Sequence, residues 1–172
     1  MNGIELRRIG PEAAAELAAL AAETFKLAYA ELHAADDLEA YCAANYSAAK
    51  TRAVLESADH VCTVAYRGDA PVGFSVLRNA SCPVPIAGPS AELKQVYVLP
   101  REFGAGAGRT LMDDALASVR RLGAQHAWLA VADINRRGPP FYLRYGFAYV
   151  GVGPMFEVGK DRVTSKIMAL AL

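Results

Sequence analysis

Residues 93 to 112 run Leu-Lys-Gln-Val-Tyr-Val-Leu-Pro-Arg-Glu-Phe-Gly-Ala-Gly-Ala-Gly-Arg-Thr-Leu-Met. A β-branched and aromatic stretch halts at Pro100, a loop carrying Gly104, Gly106 and Gly108 follows, and an amphipathic helix then begins. Glycine on alternate positions removes each Cβ that would hold a ligand off the backbone. Because the loop opens a helix, unpaired N–H groups and the positive end of the helix dipole converge on it. Such a loop suits an anion, above all a phosphate or pyrophosphate. A Gly-rich turn that joins strand to helix without any ligand is the competing explanation.

Two phosphate loops fail on spacing. A dinucleotide fingerprint, G-x-G-x-x-G, would need its third glycine at Arg109 or Leu111. A Walker loop would need its first glycine at Phe103 and a lysine at Arg109, although Gly108-Arg109-Thr110 imitates its end.

Val98-x-Pro100-x-x-Phe103-Gly104-x-Gly106-x-Gly108-x-x-Leu111 resembles motif A of the GNAT superfamily of N-acetyltransferases. Asn135-x-x-Gly138-x-x-Phe141-Tyr142-x-x-Tyr145-Gly146-Phe147 resembles motif B of the same family, in the expected order and separation. The resemblance implies an acetyl-CoA-dependent enzyme whose glycine loop holds the coenzyme pyrophosphate. It places Phe103, Gly104, Ala105, Gly106, Ala107, Gly108 and Arg109 around that group, Phe103 standing where the family usually has Gln or Arg. It also implies backbone contacts to the pantetheine arm at Val96, Tyr97 and Val98, and coenzyme contacts at Asn135, Phe141, Tyr142 and Arg144. Asn135 is equally suited to capping the helix after it, and Arg144 to a solvated helix face. Arg109 sits in the first helical turn, where a cation is unfavourable unless an anion is bound.

Acyl transfer from a thioester to an amine needs a neutral amine, a polarised carbonyl and a proton for the leaving thiolate. A free alkylamine titrates near ~10.4, so about one molecule in a thousand or fewer is nucleophilic at neutral pH. A base would help. Glu92, at the start of the strand leading into the loop, is the candidate, with Asp133 behind it and a solvated carboxylate the alternative for Glu92. Tyr142 matches the motif B tyrosine that commonly serves the family as general acid.

The rest of the chain alternates elements. Ile4 to Arg8 reads as a strand, and Pro11 opens a helix with Leu17, Leu20 and Ala21 on one face. Asp36-Asp37 is placed to cap a second helix and Ser47 a third, running to about Ser57. Val61 to Tyr66 and Val72 to Leu77 form a hairpin, and Asn79 to Ser90, with three prolines, is a long loop. Glu92 to Val98 is a strand; the helix after Gly108 carries Leu111, Ala115, Val119 and Leu122 on one face, and Gly123 ends it. Trp128 to Val131 is apolar enough for burial on both faces, so strand, helix and strand imply a parallel right-handed crossover. Phe141 to Tyr145 is a short helix, and Phe147 to Val152 pairs with Val163 to Leu170. The expected fold class is α+β: a mixed, mostly antiparallel GNAT-type sheet of six to seven strands flanked by about four helices, in one domain spanning residues 1–172.

Eighteen basic and eighteen acidic residues balance, which removes the electrostatic case for nucleic acid or an anionic membrane. No apolar run approaches the ~18–20 residues of a membrane span, and the N-terminal stretch lacks a leader core. Cys42, Cys62 and Cys82 suit free thiols in a reducing cytoplasm, and His33, His60 and His126 make no metal pattern, so no metal is expected.

The acceptor is less legible. Glu23-Thr24-Phe25, Tyr29, Asp37-Leu38-Glu39-Ala40-Tyr41 and Phe156-Glu157-Val158-Gly159 are similar to the bacterial spermidine/spermine acetyltransferases. That implies a small-molecule amine such as a polyamine, with Glu23, Glu31, Asp36, Asp37 and Glu39 as an acidic neighbourhood. The alternatives are a peptide or protein N-acetyltransferase and a non-catalytic acyl-CoA sensor, which Phe103 and Pro140 keep open and Tyr142 and Glu92 argue against. An apolar sheet edge would support a homodimer.

Overall fold

The computed structural model describes residues 3–172; Met1 and Asn2, which begin the N-terminal stretch read above, lie outside the described residues. Strands β1 (Ile4–Arg8), β2 (His60–Arg67), β3 (Ala70–Arg78), β4 (Ser90–Val98), β5 (His126–Ala132), β6 (Ala148–Val152) and β9 (Ser165–Ala171) form one sheet, ordered β1-β2-β3-β4-β5-β9-β6. Every neighbouring pair is antiparallel except β4 and β5, which the helix α4 (Ala107–Arg121) joins as a parallel crossover. This is the mixed, mostly antiparallel α+β sheet that the pattern led us to expect. Helices α1 (Ala14–Tyr29), α2 (Ala35–Asn45), α3 (Ala48–Glu56) and α5 (Gly138–Arg144) complete five among the described residues, against about four expected.

The sheet is packed on both faces. β3 sends Phe74 and Val76 toward Leu17, Leu20 and Ala21 of α1, while Leu77 joins Leu93, Leu129 and Met168 beneath Met112, Ala115 and Val119 of α4. Alternation along a strand serves two layers this way. Leu111, Ala115 and Val119 are buried as expected, but Leu122 is exposed because α4 has already ended at Arg121; Gly123 then takes φ +79°. All three cysteines are free thiols, Cys42 and Cys62 buried. No helix among the described residues is long and apolar enough to cross a membrane.

Capping held in one case and not in another. Ser47 Oγ accepts from Lys50 N–H at 3.2 Å, as its position predicts. Asp36 and Asp37 do not cap α2; Ala34 precedes the helix, and the two carboxylates lie inside its first turn, where they face the positive end of the dipole. The segment from Gly153 to Arg162 is more than a connection. It folds into a small hairpin, β7 (Phe156–Val158) and β8 (Asp161–Val163), whose Val158 and Val163 bury against Phe25, Tyr29, Leu38 and Cys42. Three-residue strands leave no periodicity for a sequence to display.

Gly73 sets how closely β4 and α4 approach β3. A Cβ there would meet the Tyr97 carbonyl oxygen at 2.8 Å and Leu111 Cδ1 and Val98 Cγ2 at 3.1 Å. Backbone cannot yield as a side-chain tip can, so Gly73→Ala should cost about 1–3 kcal/mol. Thermal denaturation should record this as a fall in Tm of roughly 3–10 °C.

Candidate active site

β4 and β5 pair only at Ser90–His126, Ala91–Ala127 and Glu92–Trp128. Beyond that point they diverge, and the cause is local. Leu93 pairs with Leu77 of β3 and Gln95 with Val76, so Lys94 is an extra residue, a bulge that bends β4 away from β5. β3 keeps its hold on the other edge through Val96–Ser75 and Val98–Gly73. The edge of β4 that faces β5 is therefore open from Leu93 to Val98, with β5 held elsewhere by β9.

The opening is a cavity of about 530 Å³. Leu93 to Tyr97 form one wall and Leu129 to Ala132 another; Phe25 and Tyr29 of α1, Tyr41 and Tyr46 at α2, and Phe156 of β7 close it. Asn135 and Tyr142 reach it from the far side. Phe25 stacks on Tyr41 at 4.5 Å, and Tyr41 lies 5.8 Å from Phe156, so the hairpin and the helices share one aromatic wall. Val96 and Val98 point their side chains toward Ala107 and Leu111, and Tyr97 packs on Phe74, leaving their backbone to the opening. Burial holds the Tyr97 and Tyr46 phenols well above the usual value and raises that of Tyr29, so all three remain neutral hydroxyls.

At the end of β4 the chain turns through Pro100–Glu102 into the glycine loop. Gly104 has φ +78° and Gly106 φ +95°, and no atom lies within 4 Å of where a Cβ would stand at either. The glycines are required here by backbone conformation, and the space beside them is open. Gly108 differs: it is helical, and a Cβ would touch Phe141 at an ordinary 3.8 Å. No side chain caps α4, and its first bond runs from Thr110 N–H to Gly106 O. The N–H groups of Ala107, Gly108 and Arg109 thus lack an intrahelical acceptor, and they point into the dipole's positive end. The geometry fits a pyrophosphate.

Two side-chain contacts here left no sequence signal, since each joins distant positions. Arg67, at the end of β2, holds Glu102 with Nε 3.0 and 3.1 Å from its two oxygens and one terminal nitrogen at 2.6 Å, fixing the turn before the loop. Arg137 lays its guanidinium over the Phe103 ring, 4.2 Å from the centroid. The departure at Phe103 thus brings a cation to the loop by another route. Tyr145, to which the motifs assign no role, donates to Asp113 Oδ1 at 3.1 Å and ties α5 to α4.

Tyr142 is half-buried, and desolvation pushes its phenol up to about 12. Asn135 Oδ1 accepts from Gly138 N–H at 2.9 Å and Arg137 N–H at 3.2 Å, so the capping role is present, and Asn135 also lines the cavity. Pro139 and Pro140 fall in the first turn of α5, where a missing N–H costs no helical bond. Phe141 sits against Gly108, and Arg144, in the last turn of α5, is 6.0 Å from the Phe141 ring. Arg109 lies in the first turn of α4 as expected.

Glu92 does not stand with Tyr142. It is 8% exposed, forms an ion pair with Arg78 at 2.7 Å, and lines a neighbouring cavity of about 440 Å³ with Ser81 and Trp128. The two cavities share Ala130. Asp133 accepts from Thr164 Oγ1 at 2.6 Å and lines neither. The acidic neighbourhood is likewise outside: Glu39 pairs with Lys26 at 2.6 Å, Glu23 faces Arg101 at 3.9 Å, and no Asp or Glu lines the larger cavity. Among the described residues no cluster of His, Cys, Asp or Glu could hold a metal.

Arg67 lowers the Glu102 carboxyl below its ordinary value by hydrogen bonding to the ionised form. A depressed folded pKa stabilises above the unfolded value near ~4.3 and loses that stabilisation as pH falls through the folded value. Glu102→Gln should therefore flatten the decline of Tm on acidification from neutrality into the pH range below about 4.3, measured against the parent protein.

Residues 15–147 match the acetyltransferase (GNAT) family. Uncharacterised N-acetyltransferases of Mycobacterium bovis and Mycobacterium tuberculosis are 31% identical over 157 residues, covering 91% of this chain and 96% of theirs. Streptothricin acetyltransferase of Streptomyces lavendulae is 38% identical over 60 residues, which is 35% of this chain and 32% of that one. Among solved structures, the PaiA N-acetyltransferase of Thermoplasma acidophilum in complex with coenzyme A superposes with a TM-score of 0.82 at 23% identity, covering 99% of both chains. With its open β4 edge, its glycine loop and these relatives, the chain belongs to the GNAT family and is an acetyltransferase.

Proposed function

We propose that this protein, as one domain spanning residues 1–172, transfers the acetyl group of acetyl-CoA to the primary amine of a small molecule. The observation that carries the reading is the continuity of the open β4 edge with the glycine loop. Free backbone N–H and C=O groups run from Leu93 to Val98 and lead to the N–H groups at the start of α4. An arm of amides ending in a pyrophosphate would satisfy both in one stroke. The solved structure of a relative with this fold holds coenzyme A, which supports the same occupant here.

The amine nitrogen attacks the thioester carbonyl carbon from the aromatic side of the cavity. As the C–N bond forms, the carbonyl oxygen gains negative charge and accepts a hydrogen bond from a backbone N–H of the Val96–Val98 segment. The intermediate collapses by breaking the C–S bond. Tyr142, a neutral phenol throughout the physiological range, donates its O–H toward the departing sulfur. The nitrogen sheds one proton and the thiolate gains one, so charge balances. Glu92 reaches the amine only through water from its own cavity, and its role is that of a relay base. Arg137 and Arg109 supply the cationic surroundings of the pyrophosphate, with Phe103 as the platform for Arg137.

The acidic residues that would suit a polyamine lie outside the cavity wall, so the reading rests on a small amine and not on a polyamine. The homodimer expectation attaches to the edge strand β6 and the turn after it, which expose Tyr149, Val152 and Met155.

Tyr142→Phe separates an enzyme from a coenzyme sensor. The enzyme should lose about 10²-fold or more in kcat for thiol release while its coenzyme A affinity stays unchanged; a sensor would lose neither. Arg137→Ala should weaken coenzyme A binding about tenfold by calorimetry, the value of one charge-assisted contact.

A further inference from the structure

The charge of the cavity wall identifies the class of amine, taking the acetyl-transfer reading above as its basis. Two charged side chains line the cavity, Lys50 in the first turn of α3 and Lys94 at the β4 bulge, and both are cations. Neither has an ion-pair partner among the described residues, in contrast to Lys26 and Lys166, which face Glu39 and Asp133. The remaining lining is apolar or neutral: Phe25, Tyr41 and Phe156 on one side, and the neutral hydroxyls of Tyr29, Tyr46 and Tyr97 deeper in.

A polycation would meet two solvent-exposed, unpaired lysines on the cavity wall and no carboxylate. An amine that also carries a carboxylate would neutralise the lysines and fill the aromatic space with its apolar body. We infer that the acceptor is a monoamine bearing a carboxylate and an apolar or aromatic body, an amino acid or a short peptide, whose carboxylate is held by Lys50 and Lys94 while its amine faces Tyr142. The same wall disfavours the ammonium form. Desolvation in the cavity and the two lysine cations on its wall lower an amine's pKa. The cavity itself holds no carboxylate, so the proton of the amine leaves by way of the relay to Glu92 in the neighbouring cavity.

The test uses the full chain saturated with coenzyme A or acetyl-CoA. Phenylalanine and leucine are compared with their decarboxylated counterparts, 2-phenylethylamine and isoamylamine, with spermidine and with the dipeptide Phe-Ala. Binding is read by calorimetry and transfer by thiol release. The carboxylated amines should bind at least about tenfold more tightly than the decarboxylated ones. The double variant Lys50→Glu/Lys94→Glu should abolish that preference while Tm stays unchanged. Tighter binding of Phe-Ala than of phenylalanine would assign the carboxylate to a peptide and uphold the inference. Equal or tighter binding of 2-phenylethylamine or spermidine would overturn it, as would a double variant that keeps the preference. The two readings fail separately. Carboxylated amines that bind without thiol release leave the acceptor class standing and remove the transfer reading; acetylation confined to amines without a carboxylate does the reverse.

Discussion

One extra residue in β4 governs the site. Lys94 has no counterpart on β3, and the bend it introduces ends the β4–β5 ladder after three pairs. Had the ladder continued, the backbone groups of Leu93 to Val98 would be spent on β5, and the interior would be solid sheet. The divergence instead leaves a row of hydrogen-bonding groups in the middle of a seven-stranded sheet, where buried backbone needs partners. An open edge is ordinarily a liability at the margin of a sheet. Placed centrally, it is a slot for a ligand that can act as a strand.

The rest of the molecule holds that slot open. β3 grips β4 from one side and β9 grips β5 from the other, so the two diverging strands are each anchored by a full ladder. α4 packs closely on β3 and β4 because Gly73 has no Cβ, and this sets its N-terminus beside the end of the slot. Arg67 pins Glu102 just before the loop, and Tyr145 pins α5 to α4. These contacts give the glycine loop a rigid frame while the loop itself keeps left-handed turns and open space. The aromatic wall is assembled similarly, with Phe156 arriving on the β7–β8 hairpin to meet Phe25 and Tyr41.

Local patterns survive in a sequence when they are contiguous. The strand into Pro100, the alternating glycines, the helix with Leu111, Ala115 and Val119, and Ser47 as a cap were all readable, because each rests on neighbours within a turn or two. Leu122 and the Asp36-Asp37 pair misled because helix ends are decided by packing within a residue or two of where propensity puts them. The β7–β8 hairpin was invisible since three residues carry no period. Glu92 was placed by its strand correctly, yet its pairing with Arg78 and its position in a second cavity depend on the register of β3 against β4. The Arg137–Phe103 and Arg67–Glu102 contacts join residues 34 and 35 positions apart, and nothing in either segment announces the other.

An acetyltransferase-type α+β fold, a glycine loop at residues 104 to 108 and a tyrosine at 142 in a second motif are written in consecutive residues, whose conformations follow from glycine, proline and hydrophobic period. The width and charge of the cavity between β4 and β5 exist only in the folded chain. Its walls come from α1, α2, α3, β4, β5 and the β7–β8 hairpin, and only the folded sheet brings Lys50, Lys94 and the aromatic side chains to one cavity while turning the carboxylates of α1 and α2 away from it. Chamber charge is a sum over distant segments, and such a sum exists only after the chain has folded.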